Sequence, residues 1–191
     1  MKAIRILLNL LLLAGVIVVG YNLYKTVEEP IVFEQQRTVR DDAAISKLKK
    51  IRQAQIMFKN KYGAYANTFD TLLTVIKNDD LEVIKQIGDP NDSTQVSKTV
   101  VTKVAIIDSL FKGDAKAVED LPLVPFTNNE KFDIVAKMIK KNDVEVPAFE
   151  VKTPYTSLYN GLIKKYYQNK ANKDMKVGSL EEGTTTGNWE K

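Results

Sequence analysis

The sequence predicts an α+β protein carried on a membrane-spanning helix. Three observations point there. Ile4 to Tyr24 is almost entirely apolar. From about Phe33 to Tyr62, apolar residues recur at helical spacing. The stretches that read as strands come after that long helical pattern, from Leu81 onward.

The apolar run sets the organisation of the rest. Its 21 residues, rising about 1.5 Å each, reach about 31 Å, enough to cross a hydrocarbon core of about 30 Å. Ile4, Leu7, Leu11, Val16, Val19 and Tyr24 mark the expected anchor. The only charge inside is Arg5, whose long stem can snorkel to the head groups. A cleaved signal peptide is the rival reading. The run exceeds the usual apolar core of such peptides, and no A-x-A-like site follows it. Asn9 is expected near the head groups, and Gly15 and Gly20 are not spaced as GxxxG. The flanks give an orientation. Lys2 and Arg5 precede the run, whereas Lys25 is followed by Glu28 and Glu29. The positive-inside rule then expects a cytoplasmic N-terminus with the domain outside. In a bacterium that means the periplasm or cell surface, and the expected place is the inner membrane with the domain periplasmic. The expected division is an anchor over residues 1–25 and an extracytoplasmic domain over 26–191.

Composition narrows the chemistry. The chain has no cysteine and no histidine. Disulfides, thiolate metal sites and thiol catalysis are excluded, and the commonest general base is missing. The net charge is +4, half of it from Lys2 and Arg5. The remainder is too balanced for the concentrated basic face that nucleic acid needs.

Along the chain, Val27 to Pro30 is expected to punctuate the helix, as a kink or as the first turn of a new one. The long helix then covers about 33–62. Ala44, Leu48, Ile51, Phe58 and Tyr62 share one face, Gln55 interrupts it, and Lys47 lies off it. Gly63 suits a left-handed cap. Thr68 or Asn67 can cap a short helix carrying Phe69, Leu72, Leu73 and Ile76. Leu81–Ile87 and Thr99–Ile107 read as strands around a turn-rich 88–94. Ser109–Asp120 is a loop or helical turn. Leu121–Phe126, with two prolines, is extended but not a central strand. Lys131–Ile139 is a strand or short helix, and Val144–Lys152 a strand that Pro147 places at an edge or bulge. Tyr155, Leu158, Tyr159, Leu162, Ile163, Tyr166 and Tyr167 recur as on an amphipathic helix. Near the end, VGSL could be a short strand, and Gly183–Gly187 a turn before Trp189.

The chemical motifs are thin. Asp89, Asn91 and Ser93 alternate like the start of a calcium loop. Thr94 and Val100 stand where that loop needs Gly and Glu, so a solvated turn is expected. Ser46 to Lys49 spells S-x-x-K, but on the polar side of an exposed helix and without companion motifs. Asp41-Asp42 and Asp79-Asp80 read as helix-end or turn charges. Lys164 to Lys173, interleaved with Tyr166 and Tyr167, could meet nucleic acid or anionic lipid, or could be a lysine fringe beside a core face. No catalytic, metal or cofactor site is expected, nor a small-molecule substrate.

The stretch ISKLKKIRQAQIMFKNKYGAYANTFDTLL carries a pattern of its own. After an apolar N-terminal helix and a proline, it matches Y-x-x-x-x-G-x-Y with Phe58, Gly63 and Tyr65, followed by Phe69 and Leu72; Tyr62 precedes the glycine. In this it resembles the type IV pilin and type II secretion pseudopilin group, over roughly residues 4–76. The resemblance implies a long helix laid against an antiparallel sheet. It departs from that group in several places, among them the lack of paired cysteines closing a C-terminal loop and of a clear calcium loop near the C-terminus. No basic leader ending in Gly precedes the run, and no glutamate lies five residues into it. The expected function is a membrane-anchored, non-enzymatic interaction subunit of an envelope assembly. Its partners would be the membrane and either other envelope proteins or copies of itself, with Tyr155, Tyr159, Tyr166 and Tyr167 as a possible contact face. The alternative is a periplasmic ligand-binding or sensing module with a pocket lined by Tyr155, Tyr159 and Tyr166.

Overall fold

A computed structural model describes residues 2–87 and 98–190. The turn at 88–94, with Asp89, Asn91 and Ser93, lies outside the described residues.

Helix α1, Lys2–Tyr62, is one element of 61 residues. The break expected at Val27–Pro30 is absent, and Pro30 sits inside the helix. Proline forfeits one intrahelical hydrogen bond but holds a helix-compatible φ. Tertiary contact begins there: residues 2–28 are exposed, whereas Glu29 and Pro30 are half-buried and Phe33 is buried. The folded part therefore grips the helix at its weakest turn.

Further along, Ala44, Leu48, Ile51 and Phe58 face the core as their spacing dictates, joined by Ala54 and Gln55. Tyr62 departs from that face and is 51% exposed. The helix ends one residue later, at Gly63 (φ 78°). Tyr62 instead lies against the Phe58 ring, centroids 4.7 Å apart, and donates its hydroxyl to Asp79 at 2.6 Å.

Helix α2, Phe69–Asn78, is capped by Thr68, whose hydroxyl accepts from the Thr71 N–H. It buries Phe69, Leu72, Val75 and Ile76. Asn67, the other candidate cap, accepts from the Ala136 N–H at 2.9 Å. Strands β1 (Asp80–Ile87) and β2 (Lys98–Ala105) pair antiparallel. Thr99–Ile107 was expected as strand to its end, but Ile106 and Ile107 open helix α3, Ile106–Phe111. Helix α4, Ala115–Glu119, takes its cap from Asp114. The proline-bearing 121–126 stays extended only as an isolated bridge between Leu123 and Lys131.

The second sheet runs β3 (Asp133–Lys141), β4 (Val144–Pro154) and β5 (Asp174–Gly178), in spatial order β3-β4-β5 and antiparallel throughout. The segment from Lys131 is thus strand rather than helix. β4 is the central strand, although Pro147 suggested an edge. β5 pairs only with Glu150–Pro154, so at Pro147 the strand has β3 alone beside it. There a missing N–H need break no ladder bond.

The amphipathic helix expected over 155–167 does not form. Helix α5 is one turn, Tyr155–Leu158, followed by two 3₁₀ turns at Lys164–Tyr166 and Gln168–Lys170. Asn160–Gly161 is the reason. Gly161 adopts φ 82°, a left-handed conformation that ends a helix.

The core lies between α1 and the inner face of the three-stranded sheet. Leu48, Ile51 and Phe58 meet Phe149, Val151, Met175 and Val177, with α2, α3 and α4 closing the side. The architecture is α+β: a long helix, apolar at its N-terminal end, packed on a small antiparallel sheet.

Candidate functional site

The arrangement most specific to this chain is the junction where the apolar half of α1 meets the folded half. Phe33 is its centre. The Phe33 ring lies 5.2 Å from Tyr166, 6.3 Å from Tyr167 in a stacked pose and 6.4 Å from Tyr159 edge-on. Tyr155 continues the cluster, 5.3 Å from Tyr159. Such pairs add about 0.5–1.5 kcal/mol each beyond their buried area.

Polar groups lock the cluster to the helix. The Arg40 guanidinium donates to the carbonyls of Leu158 (2.9 Å) and Asn160 (2.8 Å), satisfying the end of α5. The Tyr159 hydroxyl donates to Asp41 at 2.7 Å. Burial pushes the Asp41 carboxyl above its ordinary range, even though the Tyr159 hydrogen bond and nearby Lys170 and Arg37 pull it down. Burial, together with that same carboxylate, pushes the Tyr159 phenol far above the ordinary tyrosine range. One turn from Phe33 toward the apolar run, Lys165 donates to Glu29, and Tyr166 does so at 3.4 Å. The Lys165 hydrogen bond holds Glu29 below the usual carboxylate range.

Higher on α1 two more side chains stitch helix to domain. Gln55, fully buried, donates to the Ala66 carbonyl at 2.8 Å and accepts from the Ala66 N–H at 2.9 Å. Lys47 donates to the carbonyls of Asp120 (2.6 Å) and Leu123 (2.7 Å). Burial lowers its pKa.

No protein family matches the chain, and neither does any characterised protein or solved structure in the comparisons made.

The anchor residues Ile4, Leu7, Leu11, Val16, Val19 and Tyr24 are all exposed on α1. This helix is long and apolar enough to cross a membrane. Of the motif after the helix, Phe58 and Phe69 are core, and Tyr65 lies against Phe149 with centroids 4.7 Å apart. Tyr62 and Gly63 are exposed. The tyrosine contact face is corrected by the structure: Tyr155, Tyr159 and Tyr167 are buried and Tyr166 half-buried, because they roof Phe33 instead of facing solvent.

The pocket expected among those tyrosines is displaced too. One cleft of about 390 Å³ opens between α1 and Gly161–Ile163, lined by Lys25, Glu28, Glu29 and Val32 among others. Another of about 650 Å³ lies at the far end of α1, between Met57, Lys61, Asp79, Asp80 and Lys103. There Lys61 and Asp79 form an ion pair at 2.8 Å, which lowers the Asp79 pKa and raises that of Lys61. Among the described residues, no three carboxylates converge as a metal ion would need.

Arg40, Lys47 and Gln55 carry much of the stitching, a role the sequence does not assign to them. Their partners are mostly backbone carbonyls, which no side-chain pattern advertises. Gln55 alone left a signal, as the polar residue on an otherwise apolar face.

Proposed function

We propose that α1 spans a bacterial inner membrane once and that the chain is a non-enzymatic, pilin-like interaction subunit of an envelope assembly, its domain periplasmic. The observation that carries this reading is the continuity of α1. One helix bears an exposed apolar segment of membrane-crossing length and, without interruption, the core-lining face from Phe33 to Phe58. A domain built around its own stem cannot stray from the bilayer, so its natural counterparts are neighbours in the same membrane. The exposed apolar residues Val39, Phe126 and Met138 are available to such neighbours. The lack of histidine and cysteine in the whole chain supports contact over catalysis.

The test is two-part. Single cysteines, unique in this chain, are placed at Lys2 and Asn142 for labelling by a membrane-impermeant reagent in intact cells. Asn142 should label and Lys2 should not. A photo-crosslinker at Phe126 should then capture one recurrent neighbour, either another protein or a second copy. Release of the chain from membranes by salt, or the reverse labelling, removes the reading.

The cleft beside Lys61, Asp79 and Lys103 favours a second reading, a small-ligand sensor. A ligand-dependent rise in melting temperature would support it, whereas a purely structural subunit should show none.

A further inference from the structure

The lowest part of the folded domain, the loop Gly161–Lys165, sits at a definite height on α1. It shares the 390 Å³ cleft with Lys25, Glu28, Glu29 and Val32, and Lys165 reaches Glu29. Glu29 is five residues beyond Tyr24, about 7.5 Å along the helix. A bilayer of about 40–45 Å with a hydrocarbon core of about 30 Å has head-group layers of about 5–8 Å on each side. If Ile4–Tyr24 fills the core, the loop and the cleft lie level with the head groups.

The residues presented there suit that layer. Ile163 is an isoleucine at a loop tip, yet 43% exposed. Val27, Ile31 and Val32 are exposed on the neighbouring helix turns. Lys164 is exposed beside Ile163 and has no ion-pair partner among the described residues. Lys25 is also largely exposed, 3.6 Å from Glu29. An apolar side chain next to exposed ammonium groups is the composition that seats at a phospholipid interface: the stem enters the glycerol region while the amines hold phosphates. Glu29 does not oppose this, because Lys165 neutralises it. Glu28 remains the one uncompensated acid at the rim of the cleft.

We propose that Gly161–Lys165 is a second membrane contact, a phospholipid-binding foot that rests in the head-group layer with Ile163 inserted and Lys164 and Lys25 on lipid phosphates. It rests on the reading of α1 as a membrane span. Its consequence is orientational. A single helix lets a domain swivel and tilt, and a foot on the lipid surface fixes one face of the domain toward the bilayer.

The experiment uses the full chain in phosphatidylcholine nanodiscs containing a lipid-borne quencher. One fluorophore is attached to a single cysteine at Leu12, Ile163 or Phe126 in turn. Phe126 is the control for the label's own greasiness. It is exposed and apolar but lies over Arg40, about 24 Å above Tyr24 along α1. Quenching at both 12 and 163, several-fold above that at 126, is the expected result. Quenching at 12 with 163 no different from 126 overturns the foot and leaves the span intact. No quenching at 12 removes the span, and the foot with it. In the chain labelled at 163, Lys164→Glu should reduce quenching there without altering position 12. An unchanged value would overturn the phosphate contact assigned to Lys164.

Discussion

Gln55 and Ala66 hold each other by two hydrogen bonds, the side-chain amide donating to the carbonyl and accepting from the N–H of one residue. The pair fixes the chain's reversal after α1 so that α2 can return along the helix. Gln55→Leu keeps the size but leaves both backbone groups of a buried residue without partners. Each such group costs about 1–3 kcal/mol, so a loss of about 2–6 kcal/mol is expected, seen as a lower urea midpoint for the full chain in detergent. Replacement by Glu keeps the acceptor and loses the donor. It should destabilise less at acidic pH, where the protonated carboxyl can donate, than at neutral pH. Equal urea midpoints for wild type and Gln55→Leu would count against the pair's role.

Asp41 gives the junction a pH dependence of definite sign. Its folded pKa is raised, chiefly by burial. The fold therefore favours the protonated carboxyl, and stability falls as pH rises from the ordinary aspartate value through the raised one. Asp41→Asn should flatten that part of the profile and be no less stable than wild type at neutral pH, since its amide oxygen can still accept from Tyr159. Tyr159→Phe removes a hydrogen bond to a charged group, worth about 1.5–3 kcal/mol, and leaves the carboxylate half-buried without it. Urea unfolding at stepped pH separates the two variants. A profile for Asp41→Asn parallel to wild type would refute this assignment.

How much of this was readable in advance depends on the range of each interaction. The buried face Ala44-Leu48-Ile51-Phe58 follows from the 3.6-residue period alone, and Thr68 caps α2 because its hydroxyl needs only a neighbour three residues on. Local preference misleads where distant contact overrules it. Pro30 is a helix breaker in isolation, but Glu29 before it and Phe33 after it are held by residues 165–167, more than a hundred positions away. The tyrosines of 155–167 do recur at helical spacing. Their periodicity reflects a shared target, the Phe33 ring, reached by separate turns on either side of Gly161. Asn160–Gly161 was the available warning against one continuous helix. Pro147 suggests an edge strand, but β4 is central, because β5 pairs only with Glu150–Pro154 and leaves Pro147 with β3 alone beside it.

Phe33→Ala tests whether the aromatic cluster joins domain to stem. Truncating a buried phenylalanine typically costs about 3–5 kcal/mol. The loss here should be local before it is global. Tyr155–Lys170 is tied to α1 through Glu29, Phe33, Arg40 and Asp41, so that stretch should become protease-sensitive at lysines 164, 165 and 170 while the β3-β4-β5 sheet stays protected. Phe33→Leu should recover most of the protection. Uniform digestion of the whole domain in Phe33→Ala would mean instead that the junction and the sheet fold as one unit.

The continuity of α1 through Pro30 can be measured as a distance. Leu23 and Val39 are both exposed on α1 and lie sixteen residues apart. Unbroken helix places their Cα atoms about 24 Å apart. With spin labels on cysteines at the two positions, in a chain that has none of its own, pulsed dipolar spectroscopy should give one population near that separation plus the label arms. Pro30→Ala restores the hydrogen bond to the Thr26 carbonyl and removes the ring clash, a change of about 3 kcal/mol in an isolated helix. In this protein the distribution should narrow while its centre stays put, because contacts through Glu29 and Phe33 already hold the turn helical. Removing those contacts with Phe33→Ala in the proline-bearing chain should broaden it. A wild-type distribution that is broad or much shorter, and that only Pro30→Ala brings to the helical distance, would show that the proline divides stem from domain after all and that the domain pivots on the membrane.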